Sequence, residues 1–96
     1  MIVVKVTPDY ISIQGHANYA ESGKDIVCAA VSALTFTLIN SISQLTDDTI
    51  EASGENPGNI FVKLKSLSDK GRLLIDSFFI GICSIANEYP KCVQLA

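Results

Sequence analysis

Apolar and polar residues alternate near the start of the chain in a pattern that predicts two short strands. Residues 1–7 are rich in β-branched side chains, which favour a buried strand. The dipeptide Pro8-Asp9 is typical of a tight turn. Residues 10–14 then alternate strictly, with two isoleucines on one face. We therefore predict a β-hairpin that ends at Gly15.

The next apolar run predicts a long helix over residues 25–45. The run is apolar nearly all round, which is typical of a helix buried on most of its surface. Two residues are able to cap its first turn: Ser22, as part of a capping box with Asp25, or Asp25 itself. The few polar residues recur at helical spacing and therefore form one stripe. They are Asp25, Cys28, Ser32 and Thr35.

The second half of the chain predicts another hairpin, another helix and a last strand. Residues typical of turns separate its two β-type segments, and the second segment alternates cleanly apart from Phe61. The predicted elements are a strand at Thr49–Ser53, a loop at Gly54–Asn59, a strand at Ile60–Leu67, a helix that starts at Ser68 and is stopped by Pro90, and an edge strand at Cys92–Leu95.

The order of these elements predicts the fold class. Strand, strand, helix, strand, strand, helix, strand is typical of an α+β fold. We expect a small, mostly antiparallel sheet built from two hairpins, with two helices packed on it. With 96 residues and no internal linker, residues 1–96 form a single domain.

Composition narrows the classes of function. A net charge of −3 disfavours the phosphate contacts on which direct nucleic-acid binding depends. Since 48% of this short chain is hydrophobic, apolar surface is expected to stay exposed, which favours a homodimer or another homo-oligomer. Polar residues interrupt the apolar stretches before the roughly 18 residues of a membrane span. No leader pattern stands at the N-terminus. We therefore expect a cytoplasmic protein without membrane contacts.

The three cysteines do not predict a metal site or a dithiol. Cys28, Cys83 and Cys92 lie far apart along the chain, and no Cys-x-x-Cys pair occurs. Free thiols in a reducing compartment are the simplest interpretation. We expect no metal and no cofactor.

His16, the only histidine, lies twelve residues before Cys28. His16 follows the end of a predicted strand, a position where catalytic groups are common. Cys28 lies in the first two turns of a predicted helix, where the helix dipole and unpaired amides stabilise a thiolate. A thiol and an imidazole are the minimum parts of a cysteine nucleophile and its base.

Each of these residues also has an ordinary interpretation. Cys28 alone is more typical of a small, buried helix residue, and a lone histidine in a loop is usually without function. Asp25 either caps the helix, orients the His16 imidazole, or does both. Ser32 either bonds a carbonyl one turn earlier or donates to the site.

Together, residues 15–17 and 23–34 resemble the signature of the bacterial ribosomal-processing cysteine protease family. The two segments contain Gly15, His16, Asp25, Cys28 and Ser32. The resemblance extends over the whole chain in length and element order, and we identify no departure from the family's pattern. It implies that Cys28 is the nucleophile and His16 the base, with Asp25, Ser32 and Gly15 at supporting positions.

The resemblance also implies a substrate, an assembly and a moving loop. Family members are homodimers that remove the N-terminal extension of large-subunit ribosomal protein twenty-seven. The loop between the histidine and the cysteine is thought to move when substrate binds. Its residues here include Asn18, Tyr19, Glu21, Ser22, Gly23 and Lys24.

Two hypotheses follow for the function. The first is peptide hydrolysis through a thioester, with backbone amides at the helix start, including that of Cys28, stabilising the oxyanion. In the free protein, we expect His16 to lie too far from Cys28 for a direct hydrogen bond. The second hypothesis is a non-catalytic dimeric binding module or chaperone for a ribosomal protein, in which Cys28 only packs.

Overall fold

The computed structural model describes residues 1–56 and 58–96. The described elements confirm the predicted order of strands and helices. They are β1 (Ile2–Val6), β2 (Tyr10–Gln14), α1 (Ile26–Leu45), β3 (Glu51–Asn56), β4 (Asn59–Lys63), α2 (Asp69–Glu88) and β5 (Val93–Leu95).

The strands form one five-stranded sheet in the order β3-β4-β2-β1-β5. β1 pairs with β2, β2 with β4, and β3 with β4, all antiparallel. β5 adds to the edge beside β1 and runs parallel to it. The predicted α+β class and the mostly antiparallel sheet are therefore confirmed. The β2–β4 pairing joins the two hairpins and brings the end of β2 beside the β3–β4 turn.

The core lies between one face of the sheet and the two helices. Alternate residues of four strands are buried on this face and pack in one cluster with apolar residues of both helices. The opposite face carries polar and aromatic side chains, among them Tyr10 and Phe61, whose rings stack with centroids 5.1 Å apart. The strand residues of the core are Ile2, Val4, Ile11, Ile13, Ile60, Val62 and Val93.

The second hairpin differs from the prediction at its turn. β3 continues to Asn56 and β4 begins at Asn59, so most of the predicted loop at residues 54–59 is strand; Pro57 lies outside the described residues. Gly54 permits this continuation, because its φ of +105° and the close approach of the Asn59 carbonyl leave no room for a side chain. A register shift between Ser53 and Asn56 accompanies it.

The sequence pattern predicted that helix α1 is buried on most of its surface, and this prediction is wrong. One stripe faces the core, whereas Phe36 on another side is 48% exposed. The sheet and α2 lie on only one side of the helix, so its other apolar residues remain uncovered. Of the predicted polar stripe, Thr35 is buried, and its hydroxyl donates to the Val31 carbonyl at 2.7 Å.

The length of α1 corrects a second expectation. In the described part of the chain, α1 is the one helix long and apolar enough by length and composition to cross a membrane. The expectation that polar residues interrupt every apolar stretch before that length is therefore wrong for Ile26–Leu45. Core helices of soluble proteins meet the same criterion, and α1 packs against α2 around Val31, Leu38 and Phe78.

Candidate active site

His16 directly follows β2, and its backbone is held on both sides. Gly15 has a φ of +97°, and a side chain there would collide with the Met1 carbonyl, so this position requires glycine. The Gly15 N–H donates to the Gly58 carbonyl at 2.8 Å, and the Met1 nitrogen donates to the His16 carbonyl at 2.5 Å. The chain therefore leaves the sheet at a fixed point, and the exposed His16 side chain projects from it.

Cys28 lies in the first turn of α1, whose N-cap is Asp25. Oδ1 of Asp25 accepts from the backbone N–H groups of Val27 at 3.0 Å and Cys28 at 2.9 Å. The half-buried Cys28 sulfur accepts a hydrogen bond from the Ala17 N–H at 3.3 Å. The residue next to His16 therefore contacts the thiol, which brings the two predicted catalytic residues to one place.

Asp25 also holds the loop that precedes the helix. Its second oxygen, Oδ2, accepts from the N–H groups of Tyr19 at 3.0 Å and Ala20 at 3.4 Å. The hydrogen bond from the Cys28 N–H is the main cause that lowers the pKa of the Asp25 carboxyl below its ordinary value of 3.8, and the Ala20 and Tyr19 amides lower it further. Asp25 is thus the cap, and Ser22 is not.

Two sequence-based expectations change with this geometry. Within the described residues, Asp25 makes no hydrogen bond to His16, because both carboxylate oxygens face backbone amides. The Cys28 amide, which was expected to stabilise an oxyanion, donates to Asp25 in this structure.

The loop from residue 18 to residue 24 makes several contacts of its own. Asn18 and Gly23 adopt φ values of +54° and +87°. The Tyr19 ring meets the ring of Tyr89, at the end of α2, edge to face, with centroids 5.4 Å apart. Lys24 and Glu21 form an exposed ion pair at 3.1 Å. These contacts fold the loop over the start of α1.

His16 and Cys28 line the same open cavity, with a volume of about 560 Å³. Among the bonds of the described residues, none joins the His16 ring to the Cys28 sulfur, in agreement with the expectation for the free protein. A thiol and an imidazole that line one accessible cavity can carry out nucleophilic attack on a carbonyl group. The lining residues are His16, Asn18, Ala20, Ser22, Gly23, Asp25, Cys28 and Ala29.

Ser32 lies one turn beyond Cys28 and is half-buried. It does not line the cavity, and no hydrogen bond from its hydroxyl is found in the part of the chain that the structure describes. The structure therefore gathers His16, Asp25, Cys28 and the loop at one cavity, and Ser32 lies outside the cavity lining.

Sequence reasoning missed three contributors to the site. They are the Ala17 amide on the sulfur, the Gly58 carbonyl on Gly15, and Tyr89 against the loop. No local signal identifies them, because a backbone amide has no sequence signature and the other two residues are distant along the chain. The Pro-Gly pair at residues 57–58 indicated only a turn.

Comparison with known proteins gives one consistent family. The profile of the family described as Cysteine protease Prp matches residues 1–94. A Mycoplasma pneumoniae protein named Ribosomal processing cysteine protease Prp is 40% identical over 101 residues, which cover 98% of this chain and 92% of the relative.

Solved structures agree. A Staphylococcus aureus crystal structure, described as an essential ribosomal processing protease Prp in complex with a covalently linked product peptide, superposes with a TM-score of 0.94. The sequence identity is 27%, and the match covers 99% of this chain and 97% of that one. The same protease with a substrate peptide matches at a TM-score of 0.80 and 25% identity, over 99% and 95% of the two chains.

Proposed function

Since this chain belongs to the Cysteine protease Prp family and is therefore a cysteine protease, we propose that it trims the N-terminal extension of large-subunit ribosomal protein twenty-seven. The relatives' names, which specify ribosomal processing, and the S. aureus peptide complexes support a ribosomal protein as the substrate class. The observation that carries the proposal is the Ala17 N–H bond to the Cys28 sulfur, which joins the histidine segment to the thiol. Membership of a protease family disfavours the non-catalytic binding module.

The reaction proceeds through a thioester. His16 accepts the proton of the Cys28 thiol, and the sulfur attacks the scissile carbonyl carbon. The tetrahedral intermediate collapses as His16 gives its proton to the leaving amine nitrogen, which breaks the C–N bond. Water, deprotonated by His16, then attacks the thioester. The carboxylic acid leaves, and the proton returns to the sulfur.

The oxyanion forms on the carbon that the sulfur attacks, two bonds from the sulfur, so its donor must lie close to the sulfur. The Cys28 and Val27 amides serve Asp25. The Ala17 N–H points at the sulfur from 3.3 Å, and it is the donor that we assign to the oxyanion. Ser32 is assigned a supporting role next to Cys28, and the loop at residues 18–24 is assigned the opening motion that admits the substrate.

The assembly and location belong to the same proposal. A homodimer is supported by large apolar side chains exposed on both helices. Leu73 and Ile80 lie two turns apart on one side of α2, and are 69% and 67% exposed. A ribosomal protein precursor is found in the cytoplasm, where we place this protein. The acidic net charge of −3 disfavours direct binding of nucleic acid.

The direct test incubates the protein with the full-length ribosomal protein and identifies the cut by mass spectrometry. We expect one cleavage, which separates the N-terminal extension from the mature domain. An intact precursor after prolonged incubation with folded protein would overturn the substrate assignment. Cleavage of unrelated extended peptides at the same rate would show that the substrate class is broader.

A further inference from the structure

The β3–β4 turn reaches the site through Gly58. Its carbonyl accepts from the Gly15 N–H at 2.8 Å, one residue before the histidine. Its α-carbon lies directly against the His16 imidazole: a Cβ built at Gly58 would stand 2.5 Å from Nε2, 2.6 Å from Cε1 and 3.3 Å from Cδ2. Gly58 therefore contacts both the backbone before His16 and the ring itself.

The need for glycine here is steric, and the tightest contacts of an added side chain would be with the histidine ring. The φ of Gly58 lies outside the left-handed region, so any residue can adopt this backbone conformation. The three nearest atoms to a Cβ all belong to one side chain, His16. Gly15 and Gly54 differ, because a side chain at either position would collide with backbone and strain a positive φ.

We propose that Gly58 is a positioning residue that holds the His16 imidazole in the cavity it shares with Cys28. The proposal rests on the proposed function of His16 as the base. Gly58 blocks movement of the imidazole ring on one side. The hydrogen bond from the Gly15 N–H holds Gly58 at a fixed distance from the His16 backbone.

A methyl group at Gly58 should be accommodated by rotation of the ring. Because His16 is exposed, a displaced ring has solvent to rotate into, whereas Gly58 is fixed to the end of β2 by the backbone bond. We therefore expect Gly58→Ala to fold with the parent's melting temperature and its KM, but with kcat reduced by about 10- to 100-fold, since catalysis requires the base within a fraction of an ångström of its productive place.

The matched control is Gly81→Ala. The atoms nearest a Cβ there also belong to one flexible side chain, that of Leu34 at 2.9 Å, which lies six residues beyond Cys28 on α1 and does not line the cavity. It should cleave like the parent. A fall of kcat in Gly58→Ala that is accompanied by a large fall in melting temperature would mean that the role is structural, and would overturn the proposal.

A second measurement does not depend on cleavage. Since His16 is the only histidine, its imidazole signals in an NMR spectrum are unambiguous. Replacing Cys28 by serine should change the imidazole chemical shifts in the parent, because the ring and the thiol line the same cavity. In Gly58→Ala the same replacement should leave the imidazole chemical shifts unchanged.

The outcomes separate this proposal from the proposed function. If His16→Ala is inactive while Gly58→Ala keeps the parent's kcat and the parent's response to Cys28→Ser, the positioning role is wrong and the base assignment stands. If His16→Ala cleaves like the parent, the base assignment fails, and the positioning proposal fails with it.

Discussion

Each end of helix α1 has a carboxylate that accepts hydrogen bonds from a neighbouring segment and a cavity beside it, but only one of the two cavities holds reactive side chains. At one end Asp25 accepts four backbone N–H groups beside a cavity of about 560 Å³. At the other end Asp48 accepts from the Ser68 N–H at 3.1 Å and its hydroxyl at 2.7 Å, beside a cavity of about 540 Å³. Both carboxylates tie a loop to the start of a helix.

The difference lies in what the cavities contain. Only the cavity beside Asp25 is lined by a thiol and an imidazole; the described lining of the other is acidic and polar, with one lysine, Lys70. A carboxylate that ties a loop to a helix start therefore occurs twice in this molecule. The thiol and the imidazole distinguish the candidate active site from the structural junction.

The largest expected effect on cleavage comes from replacing the thiol that distinguishes the cavity beside Asp25 from the one beside Asp48. Cys28→Ser should lower kcat by about 10⁴-fold or more, because the thioester cannot form. Cys83→Ser is the matched control and should cleave normally. Iodoacetamide at neutral pH, followed by peptide mapping, should label Cys28 before Cys83 or Cys92. Faster labelling of Cys83 would contradict the assignment of the reactive thiol.

Removal of the base should have the next largest effect. His16→Ala is expected to lower kcat by about 10²- to 10⁴-fold, the usual contribution of a general base. The melting temperature should remain near that of the parent, because the His16 side chain is exposed. Single-turnover rates and thermal unfolding measure the two quantities. A strongly destabilised variant would instead indicate a structural histidine.

Two single substitutions compare the roles of the two carboxylates in stability and in cleavage. Asp25→Ala and Asp48→Ala should each lower the melting temperature by a few degrees, because each leaves helix-start amides or a serine without an acceptor. Only Asp25→Ala should also slow cleavage, by about 10-fold or more, since it releases the loop over the thiol. Equal cleavage by both variants would show that Asp25 has only a capping role.

The smallest effect concerns acid stability. The folded protein holds the pKa of the Asp25 carboxyl below 3.8, mainly through the Cys28 N–H. This group's contribution to the free energy of unfolding is therefore fully present above the unfolded value and is lost as the pH falls through the folded one. Between pH 5 and pH 3 the parent should lose more stability than Asp25→Asn, as measured by urea unfolding. If the free energy of unfolding of the two proteins fell equally with pH, the lowered pKa of Asp25 would be contradicted.

The local parts of the fold were predictable from the sequence. The order of elements, the start of the second helix at Ser68 and its stop near Pro90 each depend on a few neighbouring residues, and the structure confirms them. For the cap of α1 the sequence offered Ser22 or Asp25, and the structure selects Asp25. The pair His16 and Cys28 was predictable for the same reason: one follows a strand, the other starts a helix, and a short loop joins them.

Tertiary structure alone decided which of these parts meet. The β2–β4 pairing places Gly58 against the His16 ring, although 41 residues lie between them along the chain. The buried stripe of α1 likewise depends on where α2 and the sheet lie, not on how apolar the helix is. Backbone propensity and capping act over one or two turns, so the sequence determines them directly. Contacts between distant residues are set by packing of the whole core, and only the folded chain decides them.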